Sequence, residues 1–254
     1  MTISIIGFGR FGQLVANQIA ETTDQVLISS KGLKKEDLKN RAFKFTSLEK
    51  AAKCDVIIVA VPISEFEQLL TKIVPNLQRG SLLIDTCSVK VFPTNLMKKI
   101  VPSKVDILGT HPLFGPESVK ANRGIKNLEI VLCPIRLAEE TLEKISKILV
   151  KSGLKVLKKT PAQHDEEIAN SQALAQFIGR ILEMMPLKNV ETNTLGSKQL
   201  KTLLQFVSHD TKQLFTDLQT FNPFSKAVRK RFMDIALMMS GDLSQSDKKL
   251  SARK

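Results

Sequence analysis

Short apolar runs alternate, along the first two thirds of the chain, with stretches whose apolar residues recur every three or four positions. The first run, Ile3–Ile6, leads into a glycine-rich turn and then a helical pattern; Gln25–Ser29 and Phe43–Phe45 come after it as further strand-like runs. Asp55–Pro62 is apolar after its first residue, which is typical of a strand in a parallel sheet buried on both faces. The pattern therefore predicts strands and helices in alternation.

Two stretches have the spacing of a helix capping box. Thr46–Glu49 predicts a helix through Ala52, and Ser64–Glu67 predicts a helix that reaches about Leu77. Alternation of strands and helices predicts an α/β fold with a Rossmann-type, doubly wound and mostly parallel sheet over residues 1–160. Its later elements are expected as strands at Ser81–Asp85, Val105–Gly109, Leu128–Cys133 and Lys155–Leu157, with a helix from about Ala138 to Ser152.

Strand signals end at Pro161, and helical patterns dominate the rest of the chain. Residues 161–254 are therefore expected to form a smaller all-helical C-terminal domain, whose apolar positions favour a homodimer built through it. The polar and basic stretch from Ser244 to Lys254 is expected to be a frayed tail. The helices are predicted at Ile168–Met185, Leu195–Val207, Lys212–Leu218 and Ser225–Met239.

The glycine-rich turn has the spacing GxGxxG, between a strand-like run and a helix. In a dinucleotide-binding turn the first glycine permits the sharp turn, the second lets a pyrophosphate approach, and the third lets helix and strand pack closely. The N-terminus of the helix after the turn offers free N–H groups to the phosphates. A purely structural turn is the alternative interpretation. The predicted cofactor-binding residues here are Gly7, Gly9, Arg10, Phe11 and Gly12.

The end of the second strand indicates which nicotinamide cofactor binds. NAD-specific sites place an Asp or Glu there to hold the ribose 2′-hydroxyl. This chain has Ser29, Ser30 and Lys31 instead, with no acidic residue before Glu36. Hydroxyls and a lysine suit a 2′-phosphate, so NADP is expected rather than NAD, although Lys31 could simply begin a solvated basic loop. Two further cofactor-binding residues are predicted at the end of the neighbouring strand, Val61 and Pro62.

The chain of 254 residues carries a formal net charge of +13. This charge would attract an anionic cofactor or substrate, or it could indicate nucleic-acid binding. Basic residues are scattered, Tyr and Trp are absent, and no nucleic-acid motif accompanies the local clusters, so a nucleic-acid partner is not favoured. The clusters lie at Lys31–Lys39, Lys151–Lys159 and Lys226–Arg231.

The sequence shows no signature of a membrane, secreted or zinc protein. It has no run of 18 apolar residues and no signal-peptide pattern, so a cytoplasmic protein is expected. Cys54, Cys87 and Cys133 have no CxxC spacing, so they are expected to be reduced thiols, and no metal site is predicted.

Two side chains located after strand ends are the candidates for chemistry. His111 is expected in a Gly/Pro-rich loop after a strand, where a neutral imidazole can accept a proton from a substrate hydroxyl. Ser88, at the neighbouring strand end, can orient substrate or histidine. A loop histidine bonded to a backbone carbonyl is the alternative for His111. His164 and Asp165 favour a structural interpretation, in which Asp165 caps the first helix of the helical domain.

Four segments together resemble the prephenate/arogenate dehydrogenase family, and the similarity spans nearly the whole chain. The His-Pro-Leu-Phe-Gly-Pro segment, together with Ser171-Gln172, resembles the plant and arogenate-type branch more than the enteric one. The segments are GFGRFG (Gly7–Gly12), IDTCSVK (Ile84–Lys90), GTHPLFGPES (Gly109–Ser118) and TPAQHD (Thr160–Asp165).

The resemblance implies a specific reaction, the oxidative decarboxylation of a cyclohexadienyl substrate, arogenate or prephenate, in tyrosine biosynthesis. By resemblance, His111 takes the proton of the ring 4-hydroxyl as its carbon gives hydride to NADP. Ser88 hydrogen-bonds the same hydroxyl or the histidine. Loss of the ring carboxylate as CO2 leaves an aromatic product. The resemblance also implies that the substrate binds between a Rossmann domain and a helical dimerisation domain.

The chain departs from the family where many members carry histidines in the helix after the His-Asp pair. Gln172 and Gln176 stand in that region, and with Arg180 they are the predicted substrate-binding residues. Arg229 and Arg231 are further candidates for the guanidinium that binds a substrate carboxylate. These departures leave the choice between arogenate and prephenate open.

Two other kinds of function remain open from the residues. The same layout serves other Rossmann-type dehydrogenases and reductases that act on small carboxylates, such as β-hydroxyacid dehydrogenases and pyrroline-carboxylate reductases. Those groups usually carry a catalytic lysine or another polar group on the helical domain, and no such motif stands out here. The altered helical-domain positions and the net charge of +13 also allow a non-catalytic protein that binds nucleotides or nucleic acid.

Overall fold

The computed structural model describes residues 1–34, 36, 38, 40–185 and 194–251 of the chain. Its backbone divides into two compact units, Met1–Asp165 and Glu166–Lys254. The predicted basic cluster Lys31–Lys39 lies partly outside the described residues.

The first unit is built on an eight-stranded sheet in the order β3-β2-β1-β4-β5-β6-β7-β8. Neighbouring strands are parallel, except that the seventh runs antiparallel to the sixth. The strands, numbered along the chain, are β1 Ile3–Ile6, β2 Val26–Ser29, β3 Phe43–Phe45, β4 Val56–Val59, β5 Leu82–Asp85, β6 Asp106–Pro112, β7 Glu129–Arg136 and β8 Lys155–Lys158.

Helices connect these strands, and apolar side chains cover the sheet. Among the described residues, one buried apolar cluster lies around Ile5, Ile28 and Ala16, and another lies around Leu108 and Leu132. Burial of strands on both faces explains their near-continuous apolar runs. The helices of this unit are α1 Arg10–Ala20, α2 Leu48–Ala51, α3 Ile63–Ile73, α4 Val91–Ile100, α5 Pro116–Asn122, α6 Glu139–Lys151 and the start of α7 Pro161–Ile168.

Both predicted capping boxes are misplaced by one residue or more. The N-cap of α2 is Ser47, whose hydroxyl accepts a hydrogen bond from the Lys50 N–H, and not Thr46. Helix α3 begins at Ile63 directly after Pro62, so Ser64 lies inside its first turn.

The end of α3 also comes earlier than predicted. The helix stops at Ile73, and a single 3-10 turn, Val74–Asn76, comes after it. Pro75 has no N–H to donate and its ring clashes with the preceding turn, so the α-helix cannot run on to Leu77.

The second unit is helical throughout its described residues. The end of α7 passes into a π-helical turn, Ala169–Ala173, and then into α8 Leu174–Met184. Helix α9 spans Leu195–His209 and α10 spans Lys212–Phe221. Helices α8 and α9 touch closely at Gly179, where a Cβ would lie 2.5 Å from Val207 Cγ2.

The last helix, α11, spans Ser225–Ser251. The expectation of a frayed tail from Ser244 is therefore wrong as far as Ser251, while residues 252–254 lie outside the described residues. No proline interrupts this stretch and the single Gly241 is tolerated within a helix, so nothing ends it earlier. Within the described chain, no helix is both long enough and apolar enough to cross a membrane.

The predicted fold class is confirmed. A mostly parallel, Rossmann-type sheet with helices precedes a smaller helical region. The antiparallel strand pair, β6 with β7, contains the histidine that sequence patterns select as a candidate base.

Candidate active site

The glycine turn, Gly7–Gly12, joins β1 to α1, and each of its three glycines meets a different steric demand. Gly7 has a φ of +101°, and a Cβ there would lie 2.3 Å from the Ala60 carbonyl oxygen. A Cβ on Gly12 would lie 2.1 Å from the Gly7 carbonyl oxygen. At Gly9, by contrast, a Cβ would meet nothing within 4 Å. The first and third glycines thus pack the turn, and the second leaves open space beside the backbone.

Helix α1 begins at Arg10, directly after this open position. Its first-turn N–H groups have no acidic side chain of that turn to cap them. They therefore present partial positive charge where an anion can bind. Arg10 also forms an ion pair with Glu117 at the start of α5 (Nη2 to Oε1, 2.5 Å).

A cavity of about 590 Å³ adjoins the glycine turn. The Gly7 N–H donates to the Ser29 carbonyl at 2.8 Å, and the Phe8 N–H donates to the Ser30 hydroxyl at 3.2 Å. The end of β2 is thereby tied to the turn. Val61, at the end of β4, lies against Gly7, and Pro62 after it is exposed. The described residues lining the cavity include no carboxylate; they are Phe8, Gln13, Asn17, Ser30, Lys31, Gly32, Leu33, Asn40 and Phe43.

His111 lies within a strand and not in a loop after one, so the predicted location is wrong. Strand β6 continues to Pro112 because β7 pairs with it antiparallel, with His111 opposite Val131 and Pro112 opposite Ile130. The side chain is buried, with 5% of the residue exposed. Sheet pairing therefore fixes the imidazole more firmly than a loop would.

His111 is the first member of a hydrogen-bonded chain of three side chains. Its Nδ1 lies 2.9 Å from His164 Nε2, and His164 Nδ1 lies 2.7 Å from Asp165 Oδ1. Both partners come from α7 and are almost fully buried. Sequence patterns assign His164 and Asp165 a structural role and therefore miss these hydrogen bonds to His111. The TPAQHD segment is the signal in the sequence that could have indicated them.

The carboxylate of Asp165 also caps a helix, but a different one from that predicted. Asp165 Oδ1 accepts the Lys90 N–H at 2.6 Å, and Oδ2 accepts the Val91 N–H at 2.8 Å. These N–H groups belong to the N-terminus of α4, whereas Asp165 itself lies in α7. A carboxylate at a helix N-terminus satisfies N–H groups that lack partners inside the helix.

A buried ion pair lies next to this chain. The Lys90 ammonium donates to Asp85 Oδ1 and, at 2.6 Å, to the Thr110 carbonyl, and both charged side chains are fully buried. Burial raises the pKa of Asp85 above 3.8, against the lowering effects of the Lys90 charge and the Cys87 N–H. We refer to Asp85, Lys90, His111, His164 and Asp165 together as the buried polar corner.

The environment keeps His111 neutral. Burial lowers the pKa of His111 well below 6.5, and the nearby His164 and Lys90 lower it further. No hydrogen bond to His111 Nε2 is present among the described residues. A neutral imidazole whose second nitrogen has no protein partner can accept a proton.

Ser88 lies in the segment between β5 and α4. It is buried, and among the described residues its hydroxyl has no hydrogen-bond partner. A buried hydroxyl without a partner is costly, so the Ser88 hydroxyl is a candidate for a hydrogen bond to a water or a ligand. The three cysteines are buried and form no disulfide, and burial raises the pKa of Cys133 to about 12, so this thiol is a poor nucleophile.

The predicted substrate-binding residues lie on α8 and the π-helical turn. Gln176 donates to the Asp210 carboxylate, and its Oε1 is buried without a partner in the described structure. Arg180 donates to the Asp210 carbonyl at 2.6 Å and to Glu183 at 2.6 Å, and it lies over the Phe215 ring. The structure thus brings Gln176 and Arg180 together at Asp210, whereas Gln172 lies in the π-helical turn.

The other two candidate arginines also contact their own unit. Arg229 donates to the carbonyl and the side-chain oxygen of Gln219. Arg231 is exposed and donates to Asn170 at 2.8 Å.

Two family models match the chain. The one described as "Prephenate dehydrogenase, nucleotide-binding domain" matches residues 25–158, and the one described as "TYRAAT1-like, C-terminal domain" matches residues 181–252. The first alone covers more than half of the chain.

Similar curated proteins include the chloroplastic arogenate dehydrogenase 1 of Arabidopsis thaliana, 31% identical over 93% of this chain and 38% of its own length. A probable arogenate/prephenate dehydrogenase of Methanocaldococcus jannaschii is 28% identical over 98% of this chain and 58% of its own length. The chain thus spans less than two thirds of these relatives. Among solved structures, Synechocystis arogenate dehydrogenase (18% identical; 98% of this chain, 93% of the other) has a TM-score of 0.71. A prephenate dehydrogenase of A. aeolicus, in complex with hydroxyphenyl propionate and NAD+ (15%; 98% and 92%), has a TM-score of 0.75.

Proposed function

We propose a function for this chain from one premise: it belongs to the prephenate dehydrogenase family. The proposed activity is the oxidative decarboxylation of arogenate or prephenate in tyrosine biosynthesis, with hydride transfer to NADP. The observation that carries this proposal is the neutral, buried His111 on β6, whose Nε2 has no partner among the described residues. A base of this kind belongs at the carboxyl ends of the strands, where α/β sheets bind their ligands.

In the proposed reaction, His111 Nε2 accepts the proton of the ring hydroxyl. When bound, the oxidised nicotinamide supplies a hydride acceptor. Loss of the hydroxyl proton and the hydride turns the carbinol carbon into a carbonyl carbon, and departure of the ring carboxylate as CO2 leaves a phenol. Ser88 completes the arrangement by donating its hydroxyl, which lacks a partner within the described residues, to the reacting oxygen. Both side chains are buried, so little water reaches the proton transfer.

The glycine turn fits a dinucleotide. The open space at Gly9 allows phosphates to approach the backbone, and the N-terminus of α1 supplies N–H donors. Arg10 and Phe11 start that helix, and Val61 and Pro62 lie across the turn. All of these residues are proposed to hold the cofactor.

NADP is proposed over NAD because of the cavity beyond the turn. Ser30 and Lys31 line it, and the described lining residues supply no carboxylate for a free 2′-hydroxyl. Lys31→Ala should weaken NADP binding about tenfold, by removal of one charge-assisted hydrogen bond, and leave NAD binding unchanged. Fluorescence titration with the two reduced cofactors measures this, and equal losses for both would contradict the assignment.

The substrate is proposed to contact Gln172, Gln176 and Arg180. The buried Gln176 Oε1 and Arg180 Nε have no partners in the described structure, so each offers one further hydrogen bond. The remaining guanidinium nitrogens of Arg180 are already engaged with Glu183 and the Asp210 carbonyl. A substrate carboxylate that binds at Nη1 would therefore displace Glu183.

A homodimer through the second unit is part of the proposal. Large apolar side chains are exposed along α9 and α11, which supports burial against a second copy. Light scattering of the purified chain measures the mass, and a monomer at micromolar concentration would contradict it. The exposed side chains include Leu195, Leu200, Phe206, Ile235, Leu237, Met238 and Leu243.

The activity is tested by offering arogenate and prephenate separately, each with NADP and with NAD, and monitoring the absorbance of reduced nicotinamide. We expect turnover with NADP and one of the two substrates, together with release of CO2. A folded protein that binds NADP but turns over none of the four pairs would refute the proposed activity.

A further inference from the structure

The chain of hydrogen bonds from Asp165 to His111 has a direction, which depends on which atoms can donate. Asp165 Oδ1 and Oδ2 already accept the backbone N–H groups of Lys90 and Val91, which can only donate. A carboxylate in this position is an acceptor, so the 2.7 Å contact with His164 requires His164 Nδ1 to carry a hydrogen.

The same reasoning shows which of the two histidines donates in the hydrogen bond between His164 and His111. A neutral imidazole carries one hydrogen, so His164 with a hydrogen on Nδ1 has a lone pair on Nε2. The 2.9 Å contact between that nitrogen and His111 Nδ1 then requires His111 to be the donor. The hydrogen of neutral His111 thus resides on Nδ1, and Nε2 holds the lone pair.

We propose that Asp165 and His164 are positioning residues that hold His111 in the tautomer whose Nε2 is free to accept a proton. This rests on the proposed function only in naming what His111 does with that nitrogen. Neither residue touches the reacting atoms; both act through His111.

The surroundings of His111 explain why its tautomer depends on protein partners. His164 and Asp165 are no more than 1% exposed, so water does not compete for the atoms of the hydrogen bonds that link them. The charged and titratable groups around His111 are His164 and Lys90, and the Lys90 ammonium is held by Asp85 and the Thr110 carbonyl. With a hydrogen on Nε2 instead, His111 would present a donor to the substrate hydroxyl and could not act as the base. In a serine-protease triad, such a reversal of tautomer costs about 10⁴-fold in kcat.

The tautomer can be measured directly, without any substrate. The chain holds three histidines, so nitrogen-15 labelling of histidine gives a spectrum of three rings, and the exposed His209 is assigned by the variant His209→Gln. We expect a hydrogen on Nδ1 and a lone-pair shift on Nε2 for both His111 and His164, with a scalar coupling across the bond between them. A hydrogen on His111 Nε2 at neutral pH, as a doubly protonated His164 would produce, overturns the proposal. A mixture of tautomers at His111 overturns it too.

Variants of His164 separate orientation from mere packing. His164→Gln keeps an amide that can donate to Asp165 and accept from His111, whereas His164→Phe keeps a ring but no hydrogen bond. We expect His164→Phe to give a mixture of His111 tautomers in the spectrum. It should also lower kcat between about 10²- and 10⁴-fold, with the KM for NADP unchanged. His164→Gln should retain the tautomer and recover most of that loss, and His209→Gln should match the parent chain. Equal losses of kcat in His164→Gln and His164→Phe, or an unchanged His111 spectrum in His164→Phe, overturn the proposal.

Asp165→Ala tests the first link, because it removes the oxygen that accepts the hydrogen of His164 Nδ1. Without that acceptor nothing holds the hydrogen of His164 on Nδ1, so we expect a mixture of tautomers at His111 in the spectrum. An unchanged His111 tautomer in a folded Asp165→Ala chain overturns the proposal. If the parent chain turns over none of the four substrate and cofactor pairs, the proposed function fails, while the spectrum still decides this inference.

Discussion

Two regions at the carboxyl edge of the sheet differ in how their polar groups are exposed and hydrogen-bonded. The glycine turn leaves open space beside its backbone, with nothing within 4 Å of a Cβ at the exposed Gly9. In the buried polar corner, Lys90, Asp85 and Asp165 are fully buried and bonded to one another or to backbone. A large anionic ligand needs open space and donors that exchange water easily. A base needs its orientation set before any ligand arrives.

The largest expected effect is on the base itself. His111→Asn removes the lone-pair nitrogen, so kcat should fall between about 10²- and 10⁴-fold. The glycine turn is untouched, so NADP affinity should stay within a factor of two or so, roughly 0.4 kcal/mol. Steady-state kinetics with a separate cofactor titration measures both. An active variant would show that the corner does not supply the base.

The buried ion pair gives the next effect, on stability. Lys90→Met keeps the volume but leaves Asp85 without its charged partner, and loss of one partner from a buried pair costs about 3 to 5 kcal/mol. Urea unfolding measures the difference. Lys98→Met, on an exposed position of α4, is the matched control and should change the unfolding free energy by less than about 0.5 kcal/mol. The double variant Lys90→Met/Asp85→Asn should recover part of the loss, and no recovery would contradict the unpaired charge as its cause.

Two substitutions within the glycine turn distinguish packing from access. Gly12→Ala brings a Cβ to 2.1 Å from the Gly7 carbonyl, so α1 must shift and both stability and NADP binding should fall, the former by about 1 to 3 kcal/mol. Gly9→Ala meets nothing within 4 Å, so unfolding should change little while the methyl group obstructs the phosphates. Thermal unfolding with and without NADP measures both variants. A Gly9→Ala chain that binds NADP normally would show that the phosphates do not lie there.

The smallest effect is the pH dependence of stability. The pKa of His111 is lowered in the folded protein by burial, with His164 and Lys90 adding to it, so below 6.5 the unfolded chain binds the proton that the folded chain resists. His111 therefore contributes an unfolding free energy that falls as pH decreases from 6.5 toward the folded pKa. Urea midpoints over this range should decline less steeply for His111→Asn than for the parent chain. Identical slopes would mean that His111 titrates normally.

The glycine turn and the alternation of strands and helices could be predicted from the sequence, because both depend on local patterns. Glycines at fixed spacing between an apolar run and a helix define a turn that a few neighbouring residues determine. The fold class could be predicted in the same way from alternating strands and helices. Misplaced caps at Thr46 and Ser64 moved helix starts by one residue or two without changing the topology.

The buried polar corner could not be predicted, because it depends on contacts far apart in sequence. His111 lies inside β6 only because β7 returns antiparallel beside it, and apolar runs do not reveal strand direction. Asp165 meets Lys90 and Val91 across 75 and 74 positions of the chain. No spacing rule connects such residues, and a His-Asp pair alone gives no reason to prefer chemistry over a local cap.

The carboxylate of Asp165 caps α4 and is proposed to orient the two imidazoles, and this pair of roles has an evolutionary consequence. A descendant that lost the proposed reaction would be released from selection on the Ser88 hydroxyl and on His111 Nε2, which have no partner in the described chain. It would not be released at Asp165, since Lys90 and Val91 would lose their acceptor. Drift at the first two positions beside a retained aspartate would therefore identify relatives that kept the fold and lost the reaction.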